Sequence, residues 1–481
     1  MATINGNRKI LDLKRWEFCS PAPATTAAGT SIISSRHHKQ QQMYVVSATV
    51  AYLYNPNEDG YVQVPSAALA GTFAAGACGT ATAIGPTGTA TGGSTTTIQT
   101  NLTLARDLRG YAVNITSGPG AGETRVIASN TVGTNSTITV TVAFSSAITS
   151  SSVYRLITPR YYVLNAITAS GTTTANVFKY YDYATNTWVA AETGATDGVA
   201  PAAVIGTDSK LIATPSWIGT DYATFATGTA TGGSTNTIVN SAKAWATNQW
   251  TNYQVRISAG TGAGQIRTVA SNTGTTITVS TNWTTTPDAT SVYAIEGNDD
   301  FLYYIGSNAV TMYRYSISAG TWTTLSPGVA RAAAPGTGMS GHWIYDVSDT
   351  TWTSEDAIIN GRRIYSFRGG GGAVLDYYDI PSNAWTNAIT YSPATETFTT
   401  GSKYNYTGDY IYIQKEATGR WFRYSLAENS MDGWNTMTYT QGAALLGDTA
   451  FDVTYKDGAT EIVYIYMLLN TSTVLLRQMV I

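Results

Sequence analysis

Charge is scarce in this chain. Asp, Glu, Lys and Arg make up 12% of its 481 residues, against about 25% in an ordinary soluble domain, so Thr, Ser, Asn and Gly must supply most of the contact with water. The net charge is −3 and the isoelectric point 5.7, which leaves no basic pull toward nucleic acid or anionic lipid. Cysteine is nearly missing. Cys19 and Cys78 stand alone, so no disulfide framework exists; they read as two unpaired thiols made in a reducing cytosol, with one disulfide as the alternative. Three histidines, His37, His38 and His342, offer little to a metal. No run approaches the ~20 apolar residues of a membrane helix. The start, Met1 to Lys9, has no apolar core of a secretory signal, and no amphipathic helical stretch of useful length is found.

What is present is strand material. Hydrophobic residues reach 43%, and 32 Tyr with 12 Trp outnumber 10 Phe, a profile suited to half-buried sheet surfaces. One hairpin organises the chain. Tyr181-Asp182-Tyr183-Ala184-Thr185-Asn186-Thr187-Trp188 returns as Tyr378-Asp379-Ile380-Pro381-Ser382-Asn383-Ala384-Trp385. Looser copies run from Tyr54 through Gly60 to Tyr61 and from Tyr315 through Gly320 to Trp322; a fifth, with a longer turn, runs from Tyr424 to Trp434. Each has a further strand in front of it, and a last unit, Ile462 to Tyr466 with Val474 to Leu476, lacks its aromatic outer strand. Ala/Gly-rich runs, Ala68 to Ala77 and Ala332 to Gly338, have the small residues that an innermost strand needs where backbones converge. Four strands in each of six units predict an all-β, six-bladed propeller. Trp16, in the strand Ile10 to Phe18, would supply the missing outer strand and close the ring.

Two units are interrupted by a duplicated stretch of about 70 residues. Gly88-Thr89-Ala90-Thr91-Gly92-Gly93-Ser94-Thr95 recurs as Gly228-Thr229-Ala230-Thr231-Gly232-Gly233-Ser234-Thr235, and Gly118-Pro119-Gly120-Ala121-Gly122 as Gly260-Thr261-Gly262-Ala263-Gly264. Alternation such as Thr137-Ile138-Thr139-Val140 predicts two small β-sandwich or barrel modules. The chain divides into 1–86 (closing strand and first blade), 87–157 (first module), 158–225 (propeller), 226–296 (second module) and 297–481 (remaining blades).

Candidate chemistry is thin. A phosphate loop would need a helix after the Gly-x-Gly-x-Gly runs, but strand-like sequence follows, so tight turns with positive φ are expected. Asp182 and Asp379 stand where a carboxylate can accept turn N–H bonds. Asn57-Glu58-Asp59-Gly60 and Gly297-Asn298-Asp299-Asp300 lack a full calcium-loop pattern and read as turns. No catalytic residue, metal ligand or cofactor site is predicted. Trp245, Trp250 and Trp283 are the candidate ligand or interface residues, as a sugar-stacking platform. Aligning the two copies sets Leu108 opposite Trp250, Phe144 opposite Trp283 and, across a one-residue gap, Leu104 opposite Trp245. Exchange of that kind marks core positions, the expected placement.

The Tyr-Asp-x-x-x-Asn-x-Trp hairpins resemble kelch-type repeats, whose family fold is the β-propeller; a kelch-like Gly-Gly pair is visible at Gly369-Gly370-Gly371-Gly372. The duplicated module, with its Gly-x-Gly-x-Gly turn, its Ser-Asn-Thr turns at Ser129 and Ser271 and its closing Ser-Val-Tyr at Ser152 and Ser291, looks like β-modules common in tailed-bacteriophage virion proteins. Propellers with inserted β-domains are known there as tail nozzle or hub subunits. The resemblance implies a non-enzymatic virion protein, assembled in the host cytoplasm with other copies of itself and other virion proteins, binding neither membrane nor specific nucleic acid. The alternatives are a propeller that binds a host-surface glycan or receptor, and a capsid decoration protein.

Overall fold

The computed structural model describes residues 17–24, 31–34, 43–47, 50–56, 58–65, 78–168, 174–191, 206–214, 217–218, 221–222, 224–297, 301–344, 362–407, 410–415, 418–436, 451–457, 460–469 and 473–480. Among them there is no α-helix. The fold is an all-β propeller.

Five antiparallel four-stranded sheets run from inner to outer strand in chain order. Blade one is Ser31–Ser34, Met43–Ser47, Val50–Asn55 and Gly60–Gln63. Blade two is Cys78–Thr82, Arg160–Thr168, Thr174–Asp182 and Thr187–Ala190; blade three is Lys210–Ala213, Phe301–Ile305, Met312–Ser316 and Thr321–Thr324. Blade four is His342–Trp343, Arg363–Phe367, Val374–Asp379 and Ala384–Thr390; blade five is Lys403–Thr407, Tyr410–Lys415, Arg420–Ser425 and Ser430–Thr436. A sixth four-stranded sheet is composite: Phe451–Asp457, Thr460–Leu468 and Leu475–Val480, with Glu17–Phe18 as its outer strand. The expected count of six like blades is therefore corrected to five self-contained blades plus this closing sheet. The inner strands of blades one to four touch in that order, and the closing sheet's inner strand touches those of blades five and one.

Packing between neighbours explains the composition. Second strands such as Leu302–Ile305 and Ile411–Ile413 are buried on both faces, so they are apolar without alternation. Outer strands such as Thr187–Ala190 alternate exposed and half-buried residues. Of the two small-residue runs, the one that is described is not an inner strand. Ala332 to Gly338 is a loop leading to His342–Trp343, and Ala68 to Ala77 lies outside the described residues, before Cys78–Thr82.

The hairpin signature is a clasp. Tyr54, Tyr181, Tyr315 and Tyr378 face Tyr61, Trp188, Trp322 and Trp385 across the ladder. The residue five after the Tyr turns the chain at positive φ: Asp59 (48°), Asn186 (56°), Gly320 (66°), Asn383 (49°) and Asn429 (50°). Only Gly, Asn and Asp tolerate that region readily. The Tyr hydroxyl donates to the turn side chain's Oδ1 at 2.7 Å for Tyr54–Asp59, 2.5 Å for Tyr181–Asn186, 2.7 Å for Tyr378–Asn383 and 2.9 Å for Tyr424–Asn429. Tyr424 faces Met431, so the fifth turn has the ordinary length and Trp434 stands farther along the strand. Asp182 accepts from the Ala184 and Thr185 N–H groups, and Asp379 from that of Ser382, in the turn role expected of them.

Closure reuses this clasp. Asn383 and Asn429 donate Nδ2 to the Ser326 and Thr390 carbonyls of the preceding blade's exit at 3.0 Å each. At blade one the preceding chain offers an N–H instead: Ser20 N donates to Asp59 Oδ1 and Oδ2 at 2.8 and 3.0 Å. An acceptor-only carboxylate suits that position where an amide suits the others. Glu17 and Phe18 pair with Arg477 and Leu476, and Cys19 N and Ala22 N donate to the Leu475 and Thr473 carbonyls. Trp16 lies outside the described residues.

Two seven-stranded sheets share one strand order. The first is Thr87–Thr89, Val153–Ile157, Ala112–Ser117, Thr124–Asn130, Thr137–Val140, Thr97–Gln99 and Gly92–Gly93. The second is Thr224–Thr229, Val292–Glu296, Gln254–Ala259, Ile266–Asn272, Thr276–Val279, Thr237–Val239 and Gly232–Ser234. In each, the two edge strands follow one another in the chain across two residues, so the edges come within about 11 Å and the sheet curls over its own core.

Asp59→Ala removes an acceptor shared by a backbone N–H and a hydroxyl. The expected loss is about 2–3 kcal/mol in denaturant unfolding, against about 1 kcal/mol for Tyr54→Phe.

Candidate functional site

The best-defined contact surface is where the curled sheets seat on the blades. Arg106 of the first donates Nη2 to the Tyr181 hydroxyl at 2.7 Å and to Asn186 Oδ1 at 2.9 Å, and its guanidinium lies 4.8 Å from the Tyr183 ring. Tyr111 packs on Tyr183 at 5.5 Å, and Ala105 N donates to the Ala184 carbonyl at 2.9 Å. The second sheet seats the same edge. Asn252 and Tyr253 match Gly110 and Tyr111; Asn252 donates Nδ2 to the Ile380 carbonyl at 3.3 Å. Tyr253 is buried, which pushes its hydroxyl far above the ordinary value, and Arg362, Asp379 and Tyr303 are the charged and polar groups it senses. Ile380 holds in blade four the turn position of Tyr183 in blade two. The two hairpins that carry the full signature are thus the two that bear a curled sheet.

The curled sheets also meet each other through equivalent turns. Gly122 and Gly264 close the matching Gly-x-Gly-x-Gly turns at φ of 82° and 87°. A Cβ added to Gly264 would lie 2.5 Å from that of Ala121, and one added to Gly122 3.7 Å from the Gly264 Cα. Contact between equivalent positions is the mark of a local two-fold arrangement. Arg256 donates Nη1 to the Gly122 carbonyl at 3.4 Å and Nε to Glu296 at 2.8 Å. Strands follow both turns, as the turn reading expected.

Several charged residues are held in buried pairs. Asp376 and Arg331 have fully buried side chains 2.8 Å apart. Asp376 also accepts from Arg368 and from Ala388 N, while Arg331 donates to Ser366 and lies over the Trp385 ring at 4.7 Å. Burial alone would raise the Asp376 carboxyl, but the Arg368 and Arg331 bonds and the Ala388 N–H hold it below its ordinary value. Near the axis Asp208 is treated likewise: burial is outweighed by Lys403, Lys210 and the Gly338 N–H, which lower it. Among the described residues no three His, Cys, Asp or Glu side chains gather as a metal site. Asp59 serves closure, Gly297 alone of its run is described, and His37 and His38 lie outside the described residues. His342 packs near Tyr404 at 6.2 Å.

The candidate tryptophans are core. Trp250 and Trp283 are 3% and 5% exposed within the second sheet's apolar cluster, and Trp245 packs half-buried against it. Their counterparts Leu108, Phe144 and Leu104 are buried in the first. Leu104 N donates to the Gly133 carbonyl and Trp245 N to that of Gly274, so the gapped alignment of Trp245 with Leu104 holds in three dimensions. Sequence reasoning missed Arg106, Tyr111, Asn252 and Tyr253. The repeated Tyr111 and Tyr253 were the available signal.

No family model matches this chain, and no curated protein matches it. Comparison with solved structures returns a fungal lectin, Aleuria aurantia lectin, described as a six-bladed β-propeller with a fucose recognition mode: 10% identity, 93% of this chain, 90% of that one, TM-score 0.35. The Malassezia sympodialis allergen Mala s 1 matches at 8% identity over 94% and 91%, TM-score 0.35. A Myxococcus xanthus glutaminyl cyclase matches at 11% over 38% and 71%, TM-score 0.24.

Asp376 and Asp208 titrate lower folded than unfolded, so their stabilisation is present above about pH 4 and lost as the pH falls through the depressed values. The urea midpoint is expected to hold from pH 7 to about 5 and to drop below about 4, and Asp376→Ala to cost about 3–5 kcal/mol at neutral pH by stranding buried guanidinium. Trp250→Ala and Trp283→Ala are each expected to cost about 3–5 kcal/mol in the same measurement, and Trp245→Ala about 1–2 kcal/mol.

Proposed function

We propose that this chain is a non-enzymatic structural component of a bacteriophage virion, in the tail as a nozzle, hub or adaptor subunit. In this reading the closing sheet acts as the sixth blade of a kelch-like ring, and the two curled sheets are homologous inserted β-modules. The observation that carries it is the double seating of those sheets, on two blade turns and on each other. A ring held this way is stiff and offers broad, weakly charged faces that survive without disulfides. Such faces suit permanent contact with other copies and other virion proteins. The low charge speaks for packing between subunits rather than for tight DNA binding. A glycan platform built on Trp245, Trp250 and Trp283 finds little support, since two of these rings are buried.

Purified particles probed with an antibody to this chain provide the test. Label on the tail is expected; its absence from intact and disrupted particles alike overturns the proposal.

A further inference from the structure

Among the described residues, the ties around the ring differ from one side to the other. On one side, blade two is bound to the first curled sheet through Arg106 and Ala105, that sheet to the second at Gly122 and Gly264, and the second to blade four through Asn252. The same arc carries direct links between blades. Ala213 N donates to Thr80 Oγ1 at 3.2 Å, Tyr315 donates its hydroxyl to the Ala191 carbonyl, and Asn308 N donates to the Pro335 carbonyl at 2.7 Å. At the axis Asp208 of blade three reaches Lys403 of blade five at 3.5 Å.

On the other side, among the described residues, the closing sheet meets blade one over the apolar cluster Cys19, Ala22, Ile32, Tyr54, Tyr466, Leu468 and Leu475. Cys19 and Ala22 of that cluster belong to the N-terminal ribbon itself. The ribbon is held by a two-residue ladder, the bonds of Cys19 and Ala22 to the closing sheet, the Arg477–Glu17 ion pair at 3.1 Å and, from blade one, the Asp59 clasp and the Tyr61 hydroxyl, which donates to the Ser20 carbonyl at 3.3 Å. Releasing it uncovers the rest of the cluster and removes the clasp in one step. The strand Glu17–Phe18 is itself exposed, with Phe18 64% accessible.

We propose that the propeller has a built-in seam between the closing sheet and blade one, latched by the 17–22 ribbon, and that the paired curled sheets form a strap holding blades two to four shut. The ring opens locally at the latch, well below the free energy of global unfolding, and the strapped arc opens only with the whole molecule.

The chain carries its own reporters. Cys19 is in the seam, and Cys78 is on the inner strand of blade two, packed with Tyr162, Leu164 and Phe178 in the strapped arc. Both thiols are buried and neither is in a disulfide, and burial pushes that of Cys19 up to about 11, so each reacts only when its surroundings open. The test is alkylation of the full-length protein by iodoacetamide in low denaturant, with the modified peptides mapped by mass spectrometry over time. Cys19 is expected to react about tenfold faster than Cys78 or more, with Cys78 following global unfolding. Equal rates, or Cys78 first, overturn the proposal. Asp59→Asn, which keeps one acceptor, is expected to speed Cys19 alone. Ala121→Arg, which pushes the curled sheets apart without straining its own backbone, is expected to speed Cys78 alone. If either variant accelerates both thiols alike, seam and strap are not separate units and the proposal fails.

Discussion

A tyrosine hydroxyl donating to the side chain of a left-handed turn residue five positions later is the interaction on which the architecture depends. It fixes the length of the outer hairpin in four blades, where one residue of the turn has positive φ and a side-chain acceptor together, and in blade three Gly320 keeps the positive φ alone. It sets the ladder register, which brings Tyr opposite an aromatic ring in four blades and Met in the fifth. It also leaves the second half of the turn side chain free to reach the neighbouring blade. At Asn383 and Asn429 the neighbour offers a carbonyl and the residue is an amide, and at Asp59 it offers an N–H and the residue is a carboxylate. Closure of the ring is therefore a one-atom variation on the contact repeated around it.

The shortage of charge follows from how the few charged groups are used. Asp182, Asp379, Asp376, Asp208 and Glu296 each engage an Arg or Lys, and several also accept backbone N–H groups. A buried carboxylate without such partners costs several kcal/mol, and one with them is close to neutral in stability but demanding in geometry. These groups specify how neighbouring elements meet; the aromatic and aliphatic layers between blades supply most of the cohesion.

Much of this was legible from residues alone. The seven-residue spacing of Tyr181 and Trp188 fixes a hairpin, because a ladder pair separated by six residues leaves room for one turn type. The duplicated Gly turns identify two like sheets, and the exchange of Trp250 with Leu108 identifies a core position. Other features were read wrongly. Small residues suit a crowded axis, so the Ala332 to Gly338 run reads as an inner strand, yet it is a loop and the inner strand is His342–Trp343. Pairing Tyr424 with Trp434, as the aromatic pattern suggests, implies a long turn, but the ladder place opposite Tyr424 is held by Met431. Local pattern cannot rank two apolar residues three apart on one strand.

By itself the sequence determined the all-β class, the repeated hairpin, the likeness of the two curled sheets and the core placement of Trp250 and Trp283, since each is read from spacing and internal repetition. The tertiary structure alone decided that Ser20 meets Asp59, that the second curled sheet leaves its own blade to seat on blade four, and that Gly122 meets Gly264. Those contacts join residues that are far apart in the chain. Chemical suitability at such a contact is shared by many Asp, Asn and Gly residues, and only the closed path of the backbone selects which of them come together.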